Sequence, residues 1–203
     1  MSDDGQIIIV GDPDAIIPFN FPGGIVNVFR WNGADWGSVG GPSTIADYAD
    51  YGADVAISGD GSRIAVGDPS GSVMISSNGP GYVAVSEWNG TSWVDLGNKL
   101  SGSIGGEQFG TAVALSEDGN RLIVGAGGLY NFNNVGYAKV FEWDGSLWVQ
   151  MGATIDPGPF GNYFGREVSI NAAGNRIAIS SPNYNPNNLP LNAVKGGVIV
   201  LDW

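Results

Sequence analysis

The ionisable side chains of this sequence are mostly carboxylates: Asp and Glu number 20 against 8 Lys and Arg, and there is no Cys and no His. A thiol nucleophile, the usual zinc sites and His-based acid–base catalysis are therefore excluded. Its serines have no imidazole to activate them, and Lys99, Lys139 and Lys195 stand in no recognisable Ser-Lys motif. What remains is carboxylate chemistry, of which hydrolysis of a glycan by paired acids is the general case, and binding without chemistry. Most carboxylates sit in turns such as Asp4-Gly5, Asp60-Gly61 and Asp118-Gly119, where Asp bonds its own backbone. Asp12 and Asp68 recur by position in a repeat and not as a catalytic pair. The sequence assigns no catalytic residue, no metal site and no cofactor. It reads as non-enzymatic, with a carboxylate-based glycan hydrolase as an alternative.

The chain has 203 residues, 43% of them hydrophobic, enough for a β-domain with its own core. Its net charge of −12 argues against a nucleic-acid backbone as partner, which calls for clustered Lys and Arg. No run approaches the roughly 20 apolar residues of a membrane helix. Met1 to Gly5 lacks the basic and apolar regions of a signal peptide, a start that removal of a leader would also leave. An extracellular, cell-surface or virion setting is the expectation.

Gly is unusually frequent at 34 residues, and it recurs in register. Tyr51-Gly52, Phe109-Gly110 and Phe164-Gly165 each open a segment that runs into a turn at Asp60-Gly61, Asp118-Gly119 and Ala173-Gly174. An apolar run follows: Ile64-Ala65-Val66-Gly67, Leu122-Ile123-Val124-Gly125 and Ile177-Ala178-Ile179-Ser180, with Ile8-Ile9-Val10-Gly11 as its first copy. After a variable loop a third segment closes on Trp31, Trp88, Trp143 or Trp203. A second Trp follows five residues later at Trp36, Trp93 and Trp148. The segments are short and β-branched or aromatic, and Asp-Gly or Asn-Gly turns supply the positive φ of tight hairpins. Each unit thus predicts an antiparallel meander of strands A, B, C and D, with Phe-Gly opening A and the two Trp on C and D.

Phe109-Gly110, Val10-Gly11-Asp12-Pro13, Val66-Gly67-Asp68-Pro69 and Gly136-Tyr137-Ala138-Lys139-Val140-Phe141 resemble the FG-GAP repeat, the blade of the integrin α-type β-propeller. The resemblance covers nearly the whole chain and implies a propeller, extracellular adhesion and rings commonly of seven blades. Calcium-binding members carry a longer Asp-rich loop between A and B. Here that loop shrinks to Ser58-Gly59-Asp60-Gly61-Ser62 and Ser116-Glu117-Asp118-Gly119-Asn120, too few oxygens for the six to eight ligands of calcium.

The expected fold is all-β: a propeller-like array of four antiparallel meander repeats of three, four, four and three strands. They form a single domain, 1–203, with repeats near 1–47, 48–106, 107–161 and 162–203. Three completions are open: closure as a small ring, pairing with a second copy, or membership of a longer propeller. Unpaired strand edges promote aggregation, so at least one of the edges at Gln6–Gly11 and Gly197–Trp203 is expected to be covered. Closure within the chain would bury Trp203.

Arg63, Arg121 and Arg176 open strand B where Glu87, Glu142 and Asp202 precede the Trp of strand C, and Ile7 and Arg30 replace both members together. That covariation predicts a repeated B–C ion pair. The Trp pairs predict blade-to-blade packing, with a sugar-stacking platform as the rival use. The A–B and C–D turns share one end of the meander. The long B–C loops share the other end with the D–A loops, and there Phe19, Phe21, Met74, Tyr130, Phe132 and Tyr184 are the candidate ligand-binding residues. The expected function is recognition of a protein or glycan through that face. An assembly subunit of a shell, fibre or virion, self-associating through its terminal strands, is the structural alternative.

Overall fold

In the computed structural model the described residues are 1–17, 21–41, 43–44, 50–71, 79–128, 136–157, 161–184 and 196–202. They build four antiparallel sheets, which we call blades 1 to 4, and two small two-stranded pairs. Blade 1 holds β1 (Ile7–Asp12), then a loop hairpin of β2 (Ile16–Ile17) and β3 (Phe21–Pro22), then β4 (Ile25–Trp31), β5 (Trp36–Ser38) and β6 (Ser43–Thr44). Blade 2 holds β7 (Asp54–Ile57), β8 (Arg63–Asp68), β9 (Tyr82–Trp88), β10 (Trp93–Asp95) and β11 (Leu100–Ser101). Blade 3 holds β12 (Phe109–Leu115), β13 (Arg121–Ala126), β14 (Tyr137–Trp143) and β15 (Trp148–Ile155). After β16 (Gly161–Asn162), blade 4 holds β17 (Val168–Ile170), β18 (Arg176–Ser181) and β20 (Gly197–Asp202), while β19 (Asn183–Tyr184) pairs back to β16.

The meander order and the three-four-four-three pattern of main strands agree with the sequence. Strand D is broken in blades 1 and 2, into β5 with β6 and β10 with β11. Gly40, Gly41 and Gly97 take positive φ at the breaks. In blade 3 it runs as one strand, β15, with a register shift against β14.

Register places Arg63 opposite Glu87, Arg121 opposite Glu142, Arg176 opposite Asp202 and Ile7 opposite Arg30. The three ion pairs close at 2.9, 3.2 and 2.5 Å. The arginines do more than pair within a blade. Arg63 Nη1 also donates to the Gly119 carbonyl and to Asn120 Oδ1, and Arg121 Nη1 donates to the Gly174 carbonyl, each in the following blade.

One feature departs from the expected strands. Tyr51-Gly52 and Phe164-Gly165 lie outside the ladder: β7 starts at Asp54 and β17 at Val168. The Phe-Gly segment is a wedge between blades. Tyr51, Phe109 and Phe164 are buried. The glycines after them hold φ of +89°, +92° and +82°, values an L side chain rarely adopts. Their carbonyls press on the preceding blade so closely that a Cβ on Gly11, Gly67 or Gly125 would overlap the carbonyl oxygen of Gly52, Gly110 or Gly165. Gly24, Gly81 and Gly136 are approached in the same way by the carbonyls of Tyr51, Phe109 and Phe164. The repeated glycines at the end of B and the start of C are therefore the two lips of a slot that receives the next blade.

Two further contacts stitch the seams. Backbone hydrogen bonds link the A–B turns in series, from Asp3 N to Gly59 O, Gly59 N to Glu117 O and Glu117 N to Ala172 O. On the outer side, Trp93 Nε1 donates to Val39 O at 3.1 Å and Trp148 Nε1 to Leu96 O at 2.9 Å, both in the preceding blade. Each Trp pairs with its neighbour across the hairpin at 5.4–5.6 Å between ring centroids. Packing is thus the use the structure makes of Trp93 and Trp148. The apolar clusters follow the seams: Val26 and Val28 with Ile64 and Val66, Val83 and Val85 with Leu122 and Val124, Ala138 and Val140 with Ile177 and Ile179.

The chain ends differ from closure within one chain. Among the described residues β20 pairs only with β18, and β1 pairs only with β4. Val198 is 66% exposed and Val200 57%. Trp203 lies outside the described residues. No helix of the described residues is long and apolar enough to cross a membrane.

Candidate functional site

The A strands of neighbouring blades lie side by side, so the two residues that follow each Phe-Gly wedge meet near a common axis. In blade 2 these are Ala53 and Asp54, in blade 3 Thr111 and Ala112, in blade 4 Arg166 and Glu167. With Pro69 from the B–C loop of blade 2, Ala53, Asp54, Thr111, Arg166 and Glu167 line a cavity of about 220 Å³. It opens at the end that carries the B–C and D–A loops.

Asp54 is held in this cavity by the backbone, its Oδ2 accepting from Val113 N at 2.7 Å. Burial pushes its carboxyl above the ordinary aspartate value. The Val113 and Val55 amides offset this in part, and the charge of Glu167 adds to the rise. Thr111 Oγ1 donates to Gln108 O at 2.6 Å, while Arg166 and Glu167 are exposed. Glu167 is fixed through its backbone: its N–H donates to Ser180 Oγ and its carbonyl accepts from Ser180 N. The cavity thus presents a guanidinium, an exposed carboxylate, a shielded carboxylate and a hydroxyl. That set suits a neutral polyol or a mixed-charge group better than an ion of either sign.

A larger cleft of about 440 Å³ lies at the opposite end, lined by Asp60, Glu117, Asp118, Ala172 and Ala173. Its carboxylates are mostly committed to their turns. Asp60 Oδ1 accepts from Ser58 Oγ and Ser62 N. Asp118 Oδ1 accepts from Ser116 Oγ and Asn120 N, and its Oδ2 from Asn120 Nδ2. Burial works to raise both groups, but the hydrogen bonds outweigh it and leave both below the ordinary value. Among the described residues no three carboxylates gather closely enough to hold a metal ion.

A third acidic feature is structural. Asp68 is fully buried and its Oδ1 accepts from Ser70 N, Ser70 Oγ and Gly71 N, shaping the start of the B–C loop. Burial raises its carboxyl, and burial together with the charges of Asp68 and Asp14 raises that of Asp50. Asp12, its counterpart by repeat, is exposed.

Of the residues expected to bind a ligand, Phe19, Met74, Tyr130 and Phe132 lie outside the described residues. Phe21 and Tyr184 are described through their backbones, Phe21 pairing with Ile17 and Tyr184 with Gly161. Asp54, Thr111, Arg166 and Glu167 were absent from the candidates. The sequence carries one signal for them: within an otherwise regular repeat, the two positions after the aromatic-Gly pair hold different residues in each copy, Ala-Asp, Thr-Ala and Arg-Glu.

No family profile and no curated protein matches the chain. Solved structures do, as folds. A candidate 6-phosphogluconolactonase from Bacteroides uniformis superposes with a TM-score of 0.57 at 14% identity, covering 99% of this chain and 53% of that one. The β-propeller domain of the Trilobed protease from Pyrococcus furiosus gives 0.47 at 9% identity, with 89% and 51% covered. TolB from Acinetobacter baumannii gives 0.48 at 12% identity, with 96% and 43% covered. The chain spans about half the length of these proteins. Its four antiparallel sheets have the fold of a β-propeller domain.

Proposed function

We propose that this chain is a non-catalytic recognition module that takes a protein or glycan ligand at the B–C/D–A end of the propeller, centred on the axial cavity. The observation that carries the reading is the convergence of the variable positions Asp54, Thr111, Arg166 and Glu167 in one cavity at the end with the long loops. The rest of the repeat is consumed in seams, and rigid scaffolds present their binding residues on such loops. The ordered Phe-Gly and Val-Gly-Asp-Pro motifs support membership of the FG-GAP kind of blade, and with it adhesion at a cell or virion surface. In this reading the aromatic loop residues Phe19, Phe21, Met74, Tyr130, Phe132 and Tyr184 add ligand contacts.

Glycan and cell-surface-protein arrays test it. The wild-type chain is compared with Arg166→Ala/Glu167→Ala and with a Tyr130, Phe132 and Tyr184 triple alanine variant, fold being checked by thermal melting. Binding lost in the first variant and weakened in the second supports the site. Unchanged binding in both, with fold intact, places recognition elsewhere.

A second reading rests on the two carboxylates of the cavity. Asp54 retains its proton to higher pH than an ordinary aspartate while Glu167 stands exposed, the division of labour of an acid–base pair. That reading predicts turnover of some glycan that Asp54→Asn abolishes. A broad glycan screen without turnover removes it.

A further inference from the structure

The outward face of blade 4 is built as a seam without a neighbour among the described residues. At two positions of strand C, blades 1 to 3 carry Val26 and Val28, Val83 and Val85, Ala138 and Val140, all buried beneath the blade that follows. Blade 4 keeps valine at both, Val198 and Val200, yet these are 66% and 57% exposed. The outward face of blade 1 is the matching half. Ile64 and Val66, Leu122 and Val124, Ile177 and Ile179 are the strand-B residues that bury against the preceding blade. Their counterparts are Ile8 and Val10, and Val10 is 46% exposed. Trp36 is 40% exposed, where its counterpart Trp148 is 4% exposed and hydrogen-bonded to the preceding blade. Large apolar side chains at repeat positions that are otherwise buried mark an interface.

We propose that a second copy of this chain covers both faces, head to tail, with Val198 and Val200 of one copy against Ile8 and Val10 of the other. Polar groups match as well. In the inner seams the N–H of one A–B turn donates to the carbonyl of the next, and an arginine reaches the following turn. At the ends, Ala172 N and Arg176 are the donor half. The carbonyls of Asp3 and Gly5 in the second copy are the acceptor half, because they stand where Gly59 or Glu117 and Gly119 stand in their own blades. Ser180 fits this arrangement. It occupies the place of Gly11, Gly67 and Gly125, so its Cβ fills the slot a Phe-Gly wedge would enter. Among the described residues no Phe-Gly wedge stands before β1, so the β1 face suits this filled slot. A head-to-tail contact closes only if the rotation returns to its start. Four blades span 53% of a propeller whose fold they share, so two copies supply one ring with two equivalent seams.

Light scattering coupled to size exclusion, run on the full chain over a wide concentration range, tests this independently of any ligand. The expected mass is twice the 21.0 kDa of the chain. Val198→Asp/Val200→Asp and, separately, Val10→Asp are each expected to return it to 21.0 kDa with an unaltered circular dichroism spectrum, since all three residues are exposed within one copy. Mixing the two variants is expected to restore part of the dimer, through the one seam that has both halves intact. A wild-type monomer at every concentration overturns the proposal. So does a dimer that Val10→Asp leaves intact, which would pair like edges, or a polymer larger than a dimer.

Discussion

A methyl group at Gly67 would overlap the Gly110 carbonyl of the next blade, a backbone atom that cannot move without shifting its wedge. Gly67→Ala should therefore cost about 1–3 kcal/mol or more in urea unfolding, as overpacking does. Gly37→Ala, on the exposed strand β5 with only the Arg30 carbonyl near its Cβ at 3.9 Å, should leave the midpoint unchanged. Equal effects at both sites would refute the slot. Acid titration probes a second group of residues. Asp50, Asp54 and Asp68 bind protons more readily folded than unfolded. Stability should thus rise as pH falls from neutrality through their folded pKa values toward 3.8, where the unfolded chain takes up the same protons. Asp60 and Asp118 behave oppositely. Their contribution is present above 3.8 and is lost as pH falls below it through their depressed folded values. Urea midpoints should pass through a maximum on the acid side of neutrality, and Asp54→Asn should flatten the rise. A monotonic decline from pH 7 would contradict the burial of these carboxylates. The Arg–Glu register was legible because both partners change together in blade 1. The double use of Arg63 and Arg121 was not, since the acceptor common to both is a backbone carbonyl of the following blade, Gly119 or Gly174, with no side-chain identity to read.

At the scale of elements, strand D carries the outer seam through a Trp. Trp148→Phe removes the Nε1 donor to Leu96 O and should cost about 1 kcal/mol. Trp36→Phe should be neutral in the isolated chain, because Trp36 is exposed on the outward face of blade 1. Urea unfolding of both variants decides it, and equal losses would mean that strand D packs by ring burial alone. The A–B turns give a calorimetric prediction. With Oδ1 of Asp60 and Asp118 already accepting from their own turns, melting temperatures in calcium and in chelator should coincide. A large rise with calcium would show that the turns open to bind it. Meander order and strand count were legible because tight Asp-Gly turns and apolar runs are local signals. Phe109-Gly110 does open strand β12, with Phe109 opposite Ala126, but Tyr51-Gly52 and Phe164-Gly165 were misread as strand, since β propensity does not distinguish a residue in the ladder from one driven into a neighbouring blade. The breaks in strand D at Gly40 and Gly97 went unread for a related reason. Trp rings of the next blade, Trp88 with Trp93 and Trp143, occupy the space beside those glycines.

At the scale of the molecule, residues about 55 positions apart are brought together by the curvature of the blade row, as Asp54, Thr111 and Glu167 are. No local pattern encodes that convergence, so the loop face was legible and its centre was not. In the proposed function, recognition occupies the loop end of the axis and leaves the turn end free. The absence of Cys allows a direct test. Ala53→Cys places a single thiol at the rim of the loop-end cavity without removing any of its polar groups, and Glu117→Cys places one at the turn-end cleft. Each is modified with a bulky maleimide polymer, and binding to the glycan and protein arrays is compared before and after. Binding is expected to be abolished by the polymer at position 53 and left intact by the polymer at position 117. Loss from position 117 alone, or equal binding with both positions blocked, would contradict it.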